Sequence, residues 1–269
     1  MASIGPTAFY TGEVWRRHGL SHPELARTEG RVLHTLTAPT FTVSRLLGGP
    51  TLDGLLLARH RVIDELLEAE IAAGRVGQVL EVAAGMSPRG WRFTERHPEL
   101  VYVEADLPDM AARKRDALAR IGRPDTHRVV DLDALADEGP LSLDAVAADL
   151  DPAAGLAIIT EGLLSYLPRD AVLALWSAFA RTIRGFLHGV YLADLHVDTD
   201  APALLARTFE ALLTAFVRTP VRVHFSDEGE ARDALLAAGF REATVDRAAD
   251  HPAAADLNGA ERVRVVRAG

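Results

Sequence analysis

The sequence predicts an α/β fold, a seven-stranded and mostly parallel sheet with helices on both faces. Three observations carry this. Short apolar runs of strand length recur through the chain. Stretches with apolar residues at three- and four-residue steps separate them, which is helical spacing. Strands that alternate with helices in this way form parallel sheets whose faces are covered by the crossover helices.

The elements follow in order. Residues 1–55 read as a helical extension of short helices and loops, with Phe9, Tyr10, Trp15 and Phe41 scattered among polar residues before Gly48, Gly49 and Pro50. Tyr10, Trp15 and Phe41 suit either a lid or core packing of this extension. Over 57–73 the pattern turns helical at Val62, Ile63, Leu66, Leu67 and Ile71, and Gly74 is a stop. Residues 78–83 form the first strand and 100–104 the second. Pro108 opens a helix to Arg120, and a short third strand ends at Val129 and Val130. Residues 155–160 are a fourth strand, 169–184 a helix and 186–195 a fifth strand. Helices at 201–217 and 227–238 follow, the latter stopped by Gly239, and 242–246 and 262–266 are the last strands. This closing helix-strand-strand portion permits one antiparallel strand at the edge. The whole reads as a single domain of 269 residues, with 56–269 as a Rossmann-like core.

Composition removes several function classes. The chain has no cysteine, so disulfides, thiolate metal sites and a cysteine nucleophile are excluded, and no metal is expected. The net charge of −9 offers no broad attraction to phosphate backbones, which argues against nucleic acid. No apolar run reaches the ~18 residues of a membrane span. Residues 1–10 lack the pattern of a signal peptide, so the cytoplasm is the expected compartment.

Ligands of open α/β sheets bind beyond the carboxyl ends of the strands. Acidic and small residues gather after four strands: Glu81 to Gly85 and on to Arg89, then Glu104 and Asp106, then Asp131 to Asp133, then Glu161 and Gly162. A turn at Ala83 and Gly85 lets backbone approach a ligand closely. Asp106 follows Gly85 by 21 residues, where an acid accepts hydrogen bonds from ribose hydroxyls in nucleotide-binding folds. Asp131 and Leu132 suit an adenine, the carboxylate for its amine and the apolar side chain for its face. As rival readings, Asp106 and Asp131 are caps and Arg59 is a solvated helix residue. The turn departs from the three-glycine pattern that a pyrophosphate needs, which counts against NAD and FAD. S-adenosylmethionine carries no phosphate and escapes that requirement.

Three runs now carry a resemblance: QVLEVAAGMSPRGWRF from Gln78, YVEADLPDMAARK from Tyr102 and TEGLLSYLP from Thr160. Together they resemble the leucine carboxyl methyltransferase family and its bacterial small-molecule relatives, polyketide O-methyltransferases among them. The resemblance spans roughly residues 55 to 185. It implies a class I methyltransferase fold, S-adenosyl-L-methionine as cofactor and methyl transfer to a small-molecule acceptor. It further implies that Arg59 pairs with the cofactor's carboxylate, that Ala83 and Gly85 form the turn beside it, and that Asp106 takes the ribose. By the same resemblance Asp131 and Leu132 take the adenine, and Glu161 faces the amino-acid end. Two departures stand out. Ala83 occupies a position that is usually glycine, and Ser87-Pro88 replaces an acidic or polar residue followed by threonine or serine.

The accepting atom decides what else is needed. A carboxylate acceptor is already ionised, whereas a phenol or alcohol needs a base within reach. His196, after the fifth strand and beside Asp194, is the candidate base, against a structural role. Tyr166 is a second candidate, against packing. His188 and His224 are read as structural. Two other classes remain open: a protein that binds the cofactor without methyl transfer, and a Rossmann-like NAD or nucleotide-sugar oxidoreductase. The missing three-glycine turn and the lack of a Tyr-x-x-x-Lys pair argue against the oxidoreductase.

Overall fold

The computed structural model describes residues 6–26, 30–32, 35, 51–198 and 222–269. Phe41, the Gly48–Pro50 stretch and the expected helix over 201–217 lie outside the described residues.

Helix α1 spans Pro6–Arg17 and α2 spans Leu52–Ala72. Thr51 caps α2, its hydroxyl accepting the Gly54 N–H at 3.0 Å. The alternation that follows is β1 Gln78–Val82, α3 Arg89–Arg96, β2 Val101–Asp106, α4 Pro108–Ile121, β3 His127–Asp131, α5 Leu143–Ala147 and β4 Leu156–Thr160. Then come α6 Arg169–Ile183, β5 Gly189–Leu195, α7 Glu228–Ala238, β6 Ala243–Arg247 and β7 Arg264–Ala268.

The seven strands form one sheet in the order β3-β2-β1-β4-β5-β7-β6. Strands β1 to β5 pair in parallel, and β7 runs antiparallel to both β5 and β6. The antiparallel strand is therefore one place in from the edge, not at the edge as expected. After α7, strand β6 takes the outer position and the chain turns back to fill the gap beside β5.

Period-two alternation sorts the strand residues onto two cores. On one face Leu80, Val82, Val103, Ile158 and Tyr191 pack with Trp176 and Phe179 of α6 and with Leu235 of α7. On the other, Val79, Tyr102, Ile159 and Leu192 pack with Val62, Ile63 and Leu67 of α2 and with Phe93 of α3. Tyr10 and Val14 of α1 pack on Leu52, Leu56 and Leu57 of α2, and Tyr10 donates to Asp53 at 2.7 Å. Tyr10 and Trp15 are thus packing residues against α2, 1% and 6% exposed. The switch point lies between β1 and β4, where the order reverses, and it brings the ends of β1, β2, β4 and β5 together.

Candidate active site

Strand β1 stops at Val82 because the next residue turns left-handed. Ala83 has φ +55°, the one non-glycine residue with positive φ among the described residues. This conformation places its Cβ close to the following carbonyl oxygen, at a cost of roughly 1–2 kcal/mol. Gly85, also left-handed at φ +52°, faces open space: a Cβ built there would meet nothing within 4 Å. The Gly85 N–H is donated to Asp106 Oδ2 at 2.7 Å, and the Leu107 N–H to Asp106 Oδ1 at 2.8 Å. Each oxygen keeps a lone pair for a further donor. Burial raises the Asp106 pKa above its ordinary value, although the two backbone donors oppose the shift. From below, Lys114 of α4 donates to the carbonyls of Ser87 at 2.5 Å and Gly85 at 3.4 Å. The same ammonium lies 3.0 Å from Glu104.

Arg59 projects from α2 toward the ends of β4 and β5. It meets Glu161 Oε1 at 3.1 Å and Asp194 Oδ2 at 3.4 Å. The other Asp194 oxygen accepts the Gly162 N–H at 2.6 Å. Gly162 has φ +70°, and a Cβ there would lie 3.0 Å from the Arg59 guanidinium. Only glycine gives both the turn and the space. Arg59 is therefore no solvated surface arginine; its side chain is 15% exposed.

Glu161 is satisfied by the protein itself. Its Oε2 accepts from Arg89 at 2.5 Å and lies 2.8 Å from His60 Nδ1. Burial alone would raise its pKa, but the charges of His60, Arg89 and Arg59 outweigh that and hold the carboxylate well below its ordinary range.

Arg89, fully buried at the start of α3, also reaches Glu81 Oε1 at 2.6 Å and Asp64 Oδ1 at 2.7 Å. Burial opposes its charge, and the carboxylates of Glu81, Asp64 and Glu161 more than restore it. Glu81 takes a second donor, the Tyr102 hydroxyl, at 2.7 Å. Glu81 and Glu104 lie inside their strands and in register with each other, both 1% exposed, so they are not groups at the strand ends as the sequence suggested.

Asp131 ends β3, and its Oδ1 accepts from Arg115 at 2.8 Å. The Leu132 side chain is 2% exposed and packs in the sheet core, and its N–H goes to the Asp106 carbonyl. Leu107, next to Asp106, is instead 42% exposed. His196 follows β5, and its Nδ1 is buried without a hydrogen-bond partner among the described residues. Burial lowers its pKa, with Arg59 and Arg264 acting in the same direction against Asp194. Tyr166, in the short turn after β4, enters the electrostatic surroundings of Arg59. His224 holds the Leu164 carbonyl at 3.0 Å, in keeping with a structural role.

Sequence reading missed His60, Asp64, Arg89 and Asp194 as partners, and Leu107 as exposed apolar surface. One signal was available: Glu81 and Glu104 stand in apolar runs, and a buried carboxylate demands a cation.

Among the described residues no helix is long and apolar enough to cross a membrane. Similar structures share the fold. A methyltransferase from Thermobifida fusca, named provisionally as such, superposes with a TM-score of 0.64 at 17% identity over 90% of this chain and 88% of its own. Magnesium protoporphyrin IX methyltransferase from Synechocystis, solved with bound SAH, gives 0.52 at 13% identity over 88% and 98%. Among sequences, a Mycolicibacterium gilvum protein is 39% identical over 44% of this chain and 38% of its own. A Rhodococcus jostii protein is 35% identical over 64% and 58%. Both are named provisionally as S-adenosyl-L-methionine-dependent methyltransferases, and the chain spans about two fifths to three fifths of their lengths. The profile of the leucine carboxyl methyltransferase family matches residues 23–180. With more than half its length inside that match, the chain belongs to the leucine carboxyl methyltransferase family.

Proposed function

We propose that this chain transfers the methyl group of S-adenosyl-L-methionine to an oxygen of a small molecule. The observation that carries the reading is Arg59 set between Glu161 and Asp194. One guanidinium and two carboxylates form a receptor for an amino-acid zwitterion, the cation for its carboxylate and the anions for its ammonium. Their net charge of one negative unit also suits a sulfonium.

The remaining groups fit the rest of the cofactor. Asp106, braced by two backbone donors, takes the ribose hydroxyls. The open turn at Ala83 and Gly85 admits the chain between ribose and amino acid. Asp131 accepts the adenine amine while Arg115 holds its other side, and Leu107 offers apolar surface to the ring. Leu132 supports this corner from within the core.

The bound cofactor supplies the activated methyl group. The protein supplies alignment and exclusion of water. His196 is kept neutral by burial, with a ring nitrogen that the described residues leave without a partner. A neutral imidazole can take the proton of a phenol or alcohol as its oxygen attacks. This favours a hydroxyl acceptor over a carboxylate, which needs no base. Tyr166, near Arg59, is a phenol that still holds its own proton, so it is not used as the base. The bacterial branch that the motifs resemble points to an acceptor of polyketide type in secondary metabolism.

The test is calorimetry with S-adenosylhomocysteine, followed by methyl release onto paired phenol and carboxylate acceptors. Binding with transfer to the phenol is the expected result. Binding with no transfer to any acceptor leaves a cofactor-binding protein, and NAD binding without S-adenosylhomocysteine binding overturns the reading.

A further inference from the structure

Arg89 lies at the centre of the buried charges, yet nothing in the proposed chemistry uses it. Its three nitrogens reach three carboxylates on three segments: Asp64 on α2, Glu81 on β1 and Glu161 after β4. It is 0% exposed, so no ligand reaches it directly. The turn from β1 delivers it, through Pro88 and a bond from the Arg89 N–H to the Ser87 hydroxyl at 3.3 Å.

We infer that Arg89 is a positioning residue for the amino-acid end of the cofactor. Glu161 is held on one oxygen by Arg89 and His60 and on the other by Arg59. Arg89 therefore sets the angle at which Glu161 meets Arg59. It also ties that angle to the turn beside the cofactor, since Gly85 lies only four residues before Arg89 in the chain. A planar guanidinium serves three carboxylates at fixed angles; an ammonium is a point charge and cannot. Asp64 is shared with Arg92 at 2.7 Å and His60 Nε2 lies 3.2 Å from the same Arg92 nitrogen, which locks the far side of the frame.

The inference rests on the cofactor reading, and two ligands separate them. S-adenosylhomocysteine carries the amino-acid end; adenosine carries only ribose and adenine. In Arg89→Lys, calorimetry is expected to show S-adenosylhomocysteine weakened by about tenfold or more, the scale of a lost hydrogen bond to a charged group. Adenosine binding is expected to stay within about twofold, the scale of a surface change. Equal weakening of both ligands, or of neither, overturns the positioning role. A wild-type chain that binds neither ligand overturns the cofactor reading and this inference with it. If Arg89→Lys fails to fold, Arg89→Gln with Glu81→Gln removes one charge of each sign, keeps the buried balance and is judged by the same split.

Discussion

The indole of Trp15 lies against the imidazole of His60, ring centroids 4.8 Å apart and planes tilted by 42°. Through His60 the N-terminal helix covers the network that holds Glu161. Trp15 Nε1 is buried and meets no hydrogen-bond partner among the described residues, so the indole contributes shape and not polarity. Trp15→Ala should cost about 3–5 kcal/mol of stability. Trp15→Phe should cost under about 1.5 kcal/mol, because ring contact persists. Urea unfolding of the two variants measures both, and a small loss in the alanine variant would show that the contact is not packing.

Asp106 accepts two backbone N–H groups and offers its remaining lone pairs outward. Asp106→Asn replaces one acceptor oxygen by a donor, which faces either a backbone N–H or the ribose. S-adenosylhomocysteine binding should weaken by about 10- to 100-fold, the range for hydrogen bonds to a charged group. Because burial raises this pKa, wild-type affinity should begin to fall at a higher pH than an ordinary aspartate would dictate. Calorimetry on both proteins from neutral to acidic pH checks the pair of statements.

Two left-handed positions should respond in opposite senses. Ala83→Gly removes a Cβ from φ +55° and should raise stability by up to about 1 kcal/mol, after allowing for the freer unfolded chain. Gly162→Ala adds a Cβ at φ +70° against Arg59, so it should lower both stability and cofactor affinity. Thermal melts with and without S-adenosylhomocysteine report both quantities.

The lowered pKa of His196 fixes the sign of two pH effects. The neutral base persists below the ordinary histidine value of 6.5, so turnover of a phenol should be flat through neutrality. The rate should fall only as pH drops through the depressed value. The unfolded chain binds this proton more readily than the folded one, so stability also declines as pH falls below 6.5. His196→Ala should abolish phenol turnover and spare S-adenosylhomocysteine binding. Undiminished phenol turnover in that variant would remove His196 from the mechanism.

Most of the sheet was legible because β1, β2, β4 and β5 are short, mostly apolar runs of strand length. Helix α3 was not, since it begins with a buried arginine and a glycine and ends in Thr-Glu-Arg. Its inward face is held by ions and by the close approach of Gly90 to Glu104, which no apolar period records. The positions of Arg59, Asp106 and Glu161 followed from strand ends and motif order. Their partners did not, because the pairs join residues 101 and 135 apart in the chain. Asp131 and Leu132 were placed at the correct strand end, but a hydrophobic letter does not say whether it faces the core, as Leu132 does, or the outside, as Leu107 does.

The facing of Glu81 and Glu104 across β1 and β2 has a consequence for how the molecule comes apart. Two adjacent strands that each bury a carboxylate repel until cations arrive, and those cations are Arg89 and Lys114, on helices that flank the Ala83–Gly85 turn. Withdrawing either helix would leave an uncompensated charge within the sheet, at a cost of about 3–5 kcal/mol. The Ala83–Gly85 turn is therefore not a weak rim that opens before the rest. Hydrogen exchange of the amides around Gly85 should proceed at the pace of the central strands, so that losing the site and losing the sheet are one cooperative event.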